Sequence, residues 1–131
     1  MRLRSSLPLM LVLLAAPAAA QPDWTHARSV EVDLSSFSFA PSTLRLAHGE
    51  TIALHLVNTG NGGHNFSAPQ FFAAATINPA DAARIRRGTI EVPGHQSVDI
   101  RLVVPAPGRY ELRCTHPLHS TFGMRGAIEV G

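Results

Sequence analysis

The stretch "TLRLAHGETIALHLVN", residues 43–58, decides the fold class. Leu44 and Leu46 alternate with polar residues, and Ile52, Leu54 and Leu56 do the same after the interruption His48-Gly49-Glu50. A period of two places every second side chain on one face, the signature of a half-buried strand. The glycine between the runs marks a turn. Outward from this stretch the pattern repeats. "SVEVDLSS" (29–36), "GTIEV" (88–92), "SVDIRLVV" (97–104), "GRYELRC" (108–114) and "MRGAIEVG" (124–131) all alternate. Gly, Pro and Asn fill the gaps, as in Asn58-Thr59-Gly60-Asn61-Gly62-Gly63 and Pro105-Ala106-Pro107-Gly108. Short strands at this spacing predict an all-β, Greek-key sandwich of two sheets.

One segment departs from the pattern. "APQFFAAATINPADAARIRRG" (68–88) is alanine-rich and predicts a short helical insertion at about 70–87. Asn78 suits an N-cap, with Pro79 at the first helical position and Asp81 in the first turn. Arg84, Arg86 and Arg87 suit a helix C-terminus, and Gly88 a left-handed cap. The expectation is a helix over 79–87 and a further turn at 70–75.

The N-terminus "MRLRSSLPLMLVLLAAPAAAQ" reads as a secretory signal peptide. Arg2 and Arg4 form a basic start, 7–16 an apolar run, and Ala18-Ala19-Ala20 a small-residue cleavage site. The run is too short to span a bilayer, so no stable membrane insertion is expected after cleavage. Residues 1–20 are therefore expected to be removed, leaving 21–131 as a single periplasmic or secreted domain and a monomer. Cleavage also changes the charge. The whole chain carries a formal +2, but residues 21–131 hold nine arginines, no lysine and nine carboxylates. With a net charge near zero, no run of basic residues reads as a track for nucleic acid or a polybasic membrane patch, and strong overall steering is not expected.

Sulfur is scarce and concentrated. The only cysteine, Cys114, and the only methionine beyond residue 10, Met124, bracket "CTHPLHSTFGM". A lone cysteine in an exported chain cannot close an internal disulfide and, if exposed, is a liability in an oxidising compartment. Taken singly, such a cysteine is most often a core hydrophobe, such a methionine core filler and such a histidine a surface group. Their grouping points to copper. Thiolate and thioether suit Cu(I), imidazole suits Cu(II), and two His with one Cys and a distant Met satisfy both. Within the loop, His119 gives the spacing C-x4-H-x4-M, while His116 lies two residues from the cysteine. The second imidazole has to come from elsewhere, and His64 in "GNGGHNFSAP" is the best placed, with Asn65 able to bridge to the cysteine loop. His26, His48, His55 and His95 lack such partners and read as structural or surface groups.

These segments resemble the cupredoxins, the small blue copper proteins related to plastocyanin, azurin, pseudoazurin and the phytocyanins, over nearly all of residues 21–131. "SFSFAPSTLRLAHGETIALHLVNTG" resembles the family's opening strands and "HNF" its first-ligand motif. "GRYELRC" resembles the strand delivering the cysteine, and "CTHPLHSTFGMRGAIEV" the ligand loop and last strand. The Cys-to-His spacing is similar to azurin and phytocyanins, the His-to-Met spacing to plastocyanin and pseudoazurin. The resemblance implies His64, Cys114 and His119 as equatorial ligands, Met124 as the axial ligand and Asn65 as the loop bridge. His116 is an extra imidazole that the family pattern does not include. The implied function is a one-electron carrier holding one copper ion and docking transiently on a redox partner near His119. Pro117, Leu118 and Phe122, joined by Phe66 and Pro69, would form the apolar rim of that dock.

An oxidase or nitrite reductase fragment would need histidines flanking the cysteine. Arg113 and Thr115 stand there instead. The chain is therefore expected not to be an enzyme. The alternative is a periplasmic copper-handling protein, a chaperone, buffer or resistance factor. Such sites tend to be rich in Met and His, whereas residues 21–131 contain one methionine.

Overall fold

The computed structural model describes residues 21–131 together with 8 and 10–15. The expected signal peptide lies for the most part outside the described residues. Among those described, no helix is long and apolar enough to cross a membrane.

Among the described residues, ten strands form two sheets. They are β1 (Arg28–Ser35), β2 (Ser38–Ala40), β3 (Thr43–Leu46), β4 (Thr51–Val57), β5 (His64–Ser67), β6 (Thr76–Ile77), β7 (Thr89–Val92), β8 (Ser97–Val103), β9 (Gly108–Arg113) and β10 (Arg125–Val130). One sheet has the order β2-β1-β4-β8-β6, the other β3-β10-β9-β5-β7. Both are mixed. β1 runs parallel to β4 and β10 parallel to β3, while the remaining pairs are antiparallel. The turn at 47–50 is a corner between the sheets. β3 pairs with β10 in one sheet, whereas β4 pairs with β1 and β8 in the other. Gly49 takes φ +79 in this corner, where His48 N–H reaches Gly131 O at 2.9 Å and Gly49 N–H reaches Val104 O at 3.0 Å.

The alternation in the sequence maps onto burial. Ile52, Leu54 and Leu56 of β4 and Val98, Ile100 and Leu102 of β8 face Leu44, Phe66, Ile90, Leu112 and Ile128 of the opposite sheet. Each fully buried Leu, Ile or Phe contributes about 1.5–3 kcal/mol relative to exposure. That interior fixes the register, because a slip of one residue would turn every apolar side chain to solvent.

The helical insertion is present, but its parts differ from expectation. The α-helix is α1 (Pro69–Ala74), and 79–87 holds a turn, a single 3-10 turn at Ala82–Arg84 and a bridge from Arg86 to Thr89. Packing decides this. Phe71 and Phe72 are 1% and 5% exposed and anchor α1 in the core, whereas the later segment offers only a half-buried Ile85. Asn78 still caps its turn, its Oδ1 accepting Ala80 N–H at 3.0 Å. Asp81 is drawn away from a first-turn role. It accepts Arg101 N–H and Nε–H, both at 2.9 Å, and Nη2–H at 3.2 Å, fastening the segment to β8.

Hydrogen bonds from Arg101 hold the Asp81 carboxyl below its ordinary 3.8. A depressed carboxyl stabilises the fold above its unfolded pKa, and that contribution disappears as pH falls through the folded value. Asp81→Asn is expected to lower unfolding free energy at neutral pH by about 1–3 kcal/mol. In urea titrations the gap to wild type should close below about pH 4. A gap of constant size down to strong acid would show that the ion pair is not its source.

Candidate metal centre

Two distant segments meet at one end of the sandwich. His64 opens β5, a strand whose four residues are all buried. Its approach is set by Asn58, itself buried. Asn58 Nδ2 donates to Gly62 O at 2.8 Å and Val92 O at 3.0 Å, and its Oδ1 accepts Gly60 N–H at 3.0 Å. Gly94, in the turn between β7 and β8, lies so close that a Cβ there would stand 2.2 Å from Asn61 O.

The second segment is the loop between β9 and β10. Cys114 extends β9 by one residue, its N–H donating to Met124 O at 3.1 Å. Met124 N–H in turn donates to His119 O at 3.0 Å, so the loop closes upon itself. Gly123, at φ +99, turns the chain back into β10. Cys114 and Met124 are fully buried, and His119 is half-buried at the end of the molecule.

His64, Cys114 and His119 bring their donor atoms within 4.8 Å of one another. His64 Nδ1 and His119 Nδ1 are 3.1 Å apart, and Cys114 Sγ is 3.4 Å from His119 Nδ1. Two imidazole nitrogens and a sulfur sharing so small a space are a donor set for one soft or borderline cation. Burial, then the neighbouring His119 and His116, push His64 below its ordinary 6.5. The ring is thereby kept neutral, the form that ligates.

Asn65 joins the segments as expected. Its backbone N–H points at Cys114 Sγ at 3.5 Å, its Oδ1 accepts Thr115 N–H at 2.8 Å, and its Nδ2 donates to Thr115 Oγ1 at 2.7 Å. The same Nδ2 reaches Glu91 Oε1 at 2.9 Å, and Glu91 Oε2 is 2.8 Å from His116 Nε2. His116 is thus turned to β7, outside the donor cluster, with its ring centroid 5.3 Å from that of His119. Burial opposes the charge on Glu91, but the bonds from Asn65 and His116 outweigh it and hold the carboxyl below its usual 4.5. His26 and His55 pair with Asp23 and Asp99, and His95 with Asn61.

The apolar rim differs in membership from the sequence expectation. Leu118 and Phe122 are 64% and 67% exposed beside the centre. Phe66 is fully buried between Phe39 and Phe72, and Pro69 starts α1 beyond the far end of β5. Phe37 takes their place, with its ring 4.7 Å from His119 and 6.2 Å from Phe122. It sits with Ser36 in a two-residue hairpin turn between the paired Ser35 and Ser38, both at positive φ (54° and 58°). Such turns normally announce themselves as Asn-Gly or Asp-Gly, so Ser-Phe gave no signal.

The family model described as copper binding proteins, plastocyanin/azurin family, matches residues 26–131. The chain belongs to this family. Copper is accordingly its metal, one ion per chain, and the nitrogen–sulfur cluster fits it. Among curated relatives, Auracyanin-B of Chloroflexus aurantiacus is 28% identical over 125 residues, 81% of this chain. The chain spans about half the length of that relative, 53%. Among solved structures, the dithionite-reduced auracyanin of Roseiflexus castenholzii superposes with TM-score 0.61 at 20% identity, over 80% of this chain and 98% of that one. The McoA multicopper oxidase of Aquifex aeolicus gives TM-score 0.63 at 15% identity, over 86% of this chain but 31% of the oxidase. At these identities the structural likenesses establish the cupredoxin sandwich alone.

Proposed function

We propose that the protein is an exported one-electron carrier of the blue, type 1 copper class, with His64, Cys114 and His119 as equatorial ligands and Met124 as axial ligand. The observation that carries this reading is the meeting of His64, Cys114 and His119 donor atoms within 4.8 Å at a largely buried site. Copper, when bound, supplies a one-electron couple. The chain supplies the rest. Four protein donors leave no position for a substrate, which supports a carrier rather than an enzyme. Asn65 holds both ligand segments in one network, so oxidation and reduction find the same preorganised donors. His119, half-buried beneath Phe37, Leu118 and Phe122, offers the route to a redox partner that docks transiently on the apolar tip. Residues 1–20 direct export and are removed, and 21–131 act as a monomeric domain outside the cytoplasm.

The test is a visible and electron paramagnetic resonance spectrum of the Cu(II) protein with cyclic voltammetry on the same sample. An intense thiolate-to-copper band and a reversible couple are expected. A colourless Cu(II) form would remove the ligand assignment, and ready surrender of copper to an acceptor would favour a copper-handling role. Met124→Gln bears on the axial position. Replacing a thioether with a harder oxygen donor disfavours Cu(I), so colour should persist and the reduction potential should fall. An unchanged potential would remove Met124 from the ligand set.

A further inference from the structure

Net charge near zero conceals a separation of charge between the two sheets. The sheet containing β5, β9 and β10, with the 84–87 segment bonded to β7, carries seven arginines against three glutamates. The opposite sheet and its connections carry six carboxylates against two arginines. Two of these arginines stand beside the metal centre, with Glu111 two residues from Arg113 along the same face of β9. Arg113 and Arg125 are exposed and directly opposite each other on β9 and β10, each one residue from a proposed ligand. Like charges facing across a strand pair destabilise it. At the far end of the same strands the problem is solved, because Glu129 is 2.5 Å from both Arg45 and Arg109. Among the described residues no carboxylate forms an ion pair with Arg113 or Arg125. The Arg125 side chain donates its Nε–H to the backbone, to Ser120 O at 3.2 Å.

The register extends this pair into a strip. Arg113 is opposite Ser67, Ser67 opposite Thr89, and Thr89 bridges to Arg86. Directly opposite residues share a face, so Arg125, Arg113 and Arg86 stand in one row across the sheet, with two small hydroxyl residues between them. Four strand spacings make the row about 20 Å long. Arg113 and Arg125, at the ends of β9 and β10, stand at the foot of the loop that bears His119, and Arg86 ends the row on the far side of β7.

We infer that this row is the electrostatic half of the docking surface, and that the partner is a protein with a carboxylate-rich surface beside its own redox centre. The inference rests on the carrier reading and adds the partner's charge. Contact at the apolar tip gives little orientation. A carboxylate cluster seated on the row orients the partner over His119, and the dipole across the sandwich turns the approaching protein before contact.

The test titrates the Cu(I)-loaded, 15N-labelled protein with short poly-L-glutamate and follows amide shifts. Shifts are expected to concentrate at 112–114, 125–126, 67 and 86–89 and to vanish as salt is raised. Arg113→Gln with Arg125→Gln should weaken binding about tenfold, the loss expected for two partly screened contacts. The equally basic but internally paired Arg45 and Arg109, changed to Gln together, should alter it less than about twofold. Shifts spread evenly over all arginines, or affinity kept by the Arg113/Arg125 variant, would overturn the proposal. Binding to phosphatidylglycerol vesicles without binding to polyglutamate would also overturn it, in favour of a membrane surface. Voltammetry on the same sample separates the two readings. A reversible couple without localised binding removes the row alone, whereas an absent couple removes the carrier and the redox character of its partner.

Discussion

Cys114→Ser is expected to abolish visible colour in the Cu(II) protein. The wild-type band requires a thiolate bonded to copper, and Cys114 is the only thiol in the chain. A serine hydroxyl stays protonated near neutrality and is a hard donor, so it gives neither the charge transfer nor the stabilisation of Cu(I). The fold should survive the change. Cys114 is fully buried, but the serine oxygen is isosteric with sulfur to within a fraction of an ångström. It can also accept the Asn65 N–H that now points at Sγ from 3.5 Å. Urea unfolding of the metal-free variant is therefore expected within about 1 kcal/mol of wild type. A coloured serine variant would mean that the band has another origin, and a variant that fails to fold would leave the Met124 and histidine changes to decide the ligands.

His119→Gly and His116→Ala are expected to part company, although both remove an imidazole from one loop. His119 Nδ1 lies 3.1 Å from His64 Nδ1 and 3.4 Å from Cys114 Sγ. His116 turns its Nε2 to Glu91 at 2.8 Å. Loss of a group outside the ligand set costs copper affinity up to about 10–100-fold. His116→Ala should fall at the lower end of that range and keep the band. His119→Gly should exceed the range and lose or reshape the band. Added imidazole should restore it in part, since the vacated volume opens to solvent between Phe37 and the loop. The reverse pattern, a colourless His116 variant and an intact His119 variant, would overturn the loop assignment and leave copper binding untouched.

How far the sequence could be read depended on how local the cause was. Strands with one buried face, such as β4 and β8, were legible because alternation records the face directly. β5 gives no strand signal, since His64, Asn65, Phe66 and Ser67 are all buried and no alternation remains. β2 and β6, at three and two residues, are too short to carry a period. Caps and charges favour a helix over 79–87 and only a turn at 70–75, but the α-helix forms at Pro69–Ala74. The two phenylalanines of 71–72 had a core to enter, and that is a tertiary fact. Donor chemistry and spacing single out Cys114, His119 and His64, and the fold brings their donor atoms within 4.8 Å of one another. Phe37, Glu91 and Asn58 were not legible, since each acquires its role from a strand or loop far away in the chain. The charge separation was hidden for the same reason, because a sum over the chain does not say which sheet each arginine joins.

The parallel pairings β1–β4 and β3–β10 have a consequence for the order in which the molecule is made. β3 and β10 are joined by residues as distant as Thr43 and Ala127, so the second sheet closes only when nearly the whole chain is available. Long-range contacts of this kind make folding slow relative to helical chains of equal length. During that delay Cys114 is an uncovered thiol, and with no second cysteine in the chain its oxidation joins two molecules rather than closing a loop. Cys114, His119 and Met124 lie within eleven residues, while His64 arrives only as β5 docks. Early capture of metal by the local loop would protect the sulfur while the sheets assemble.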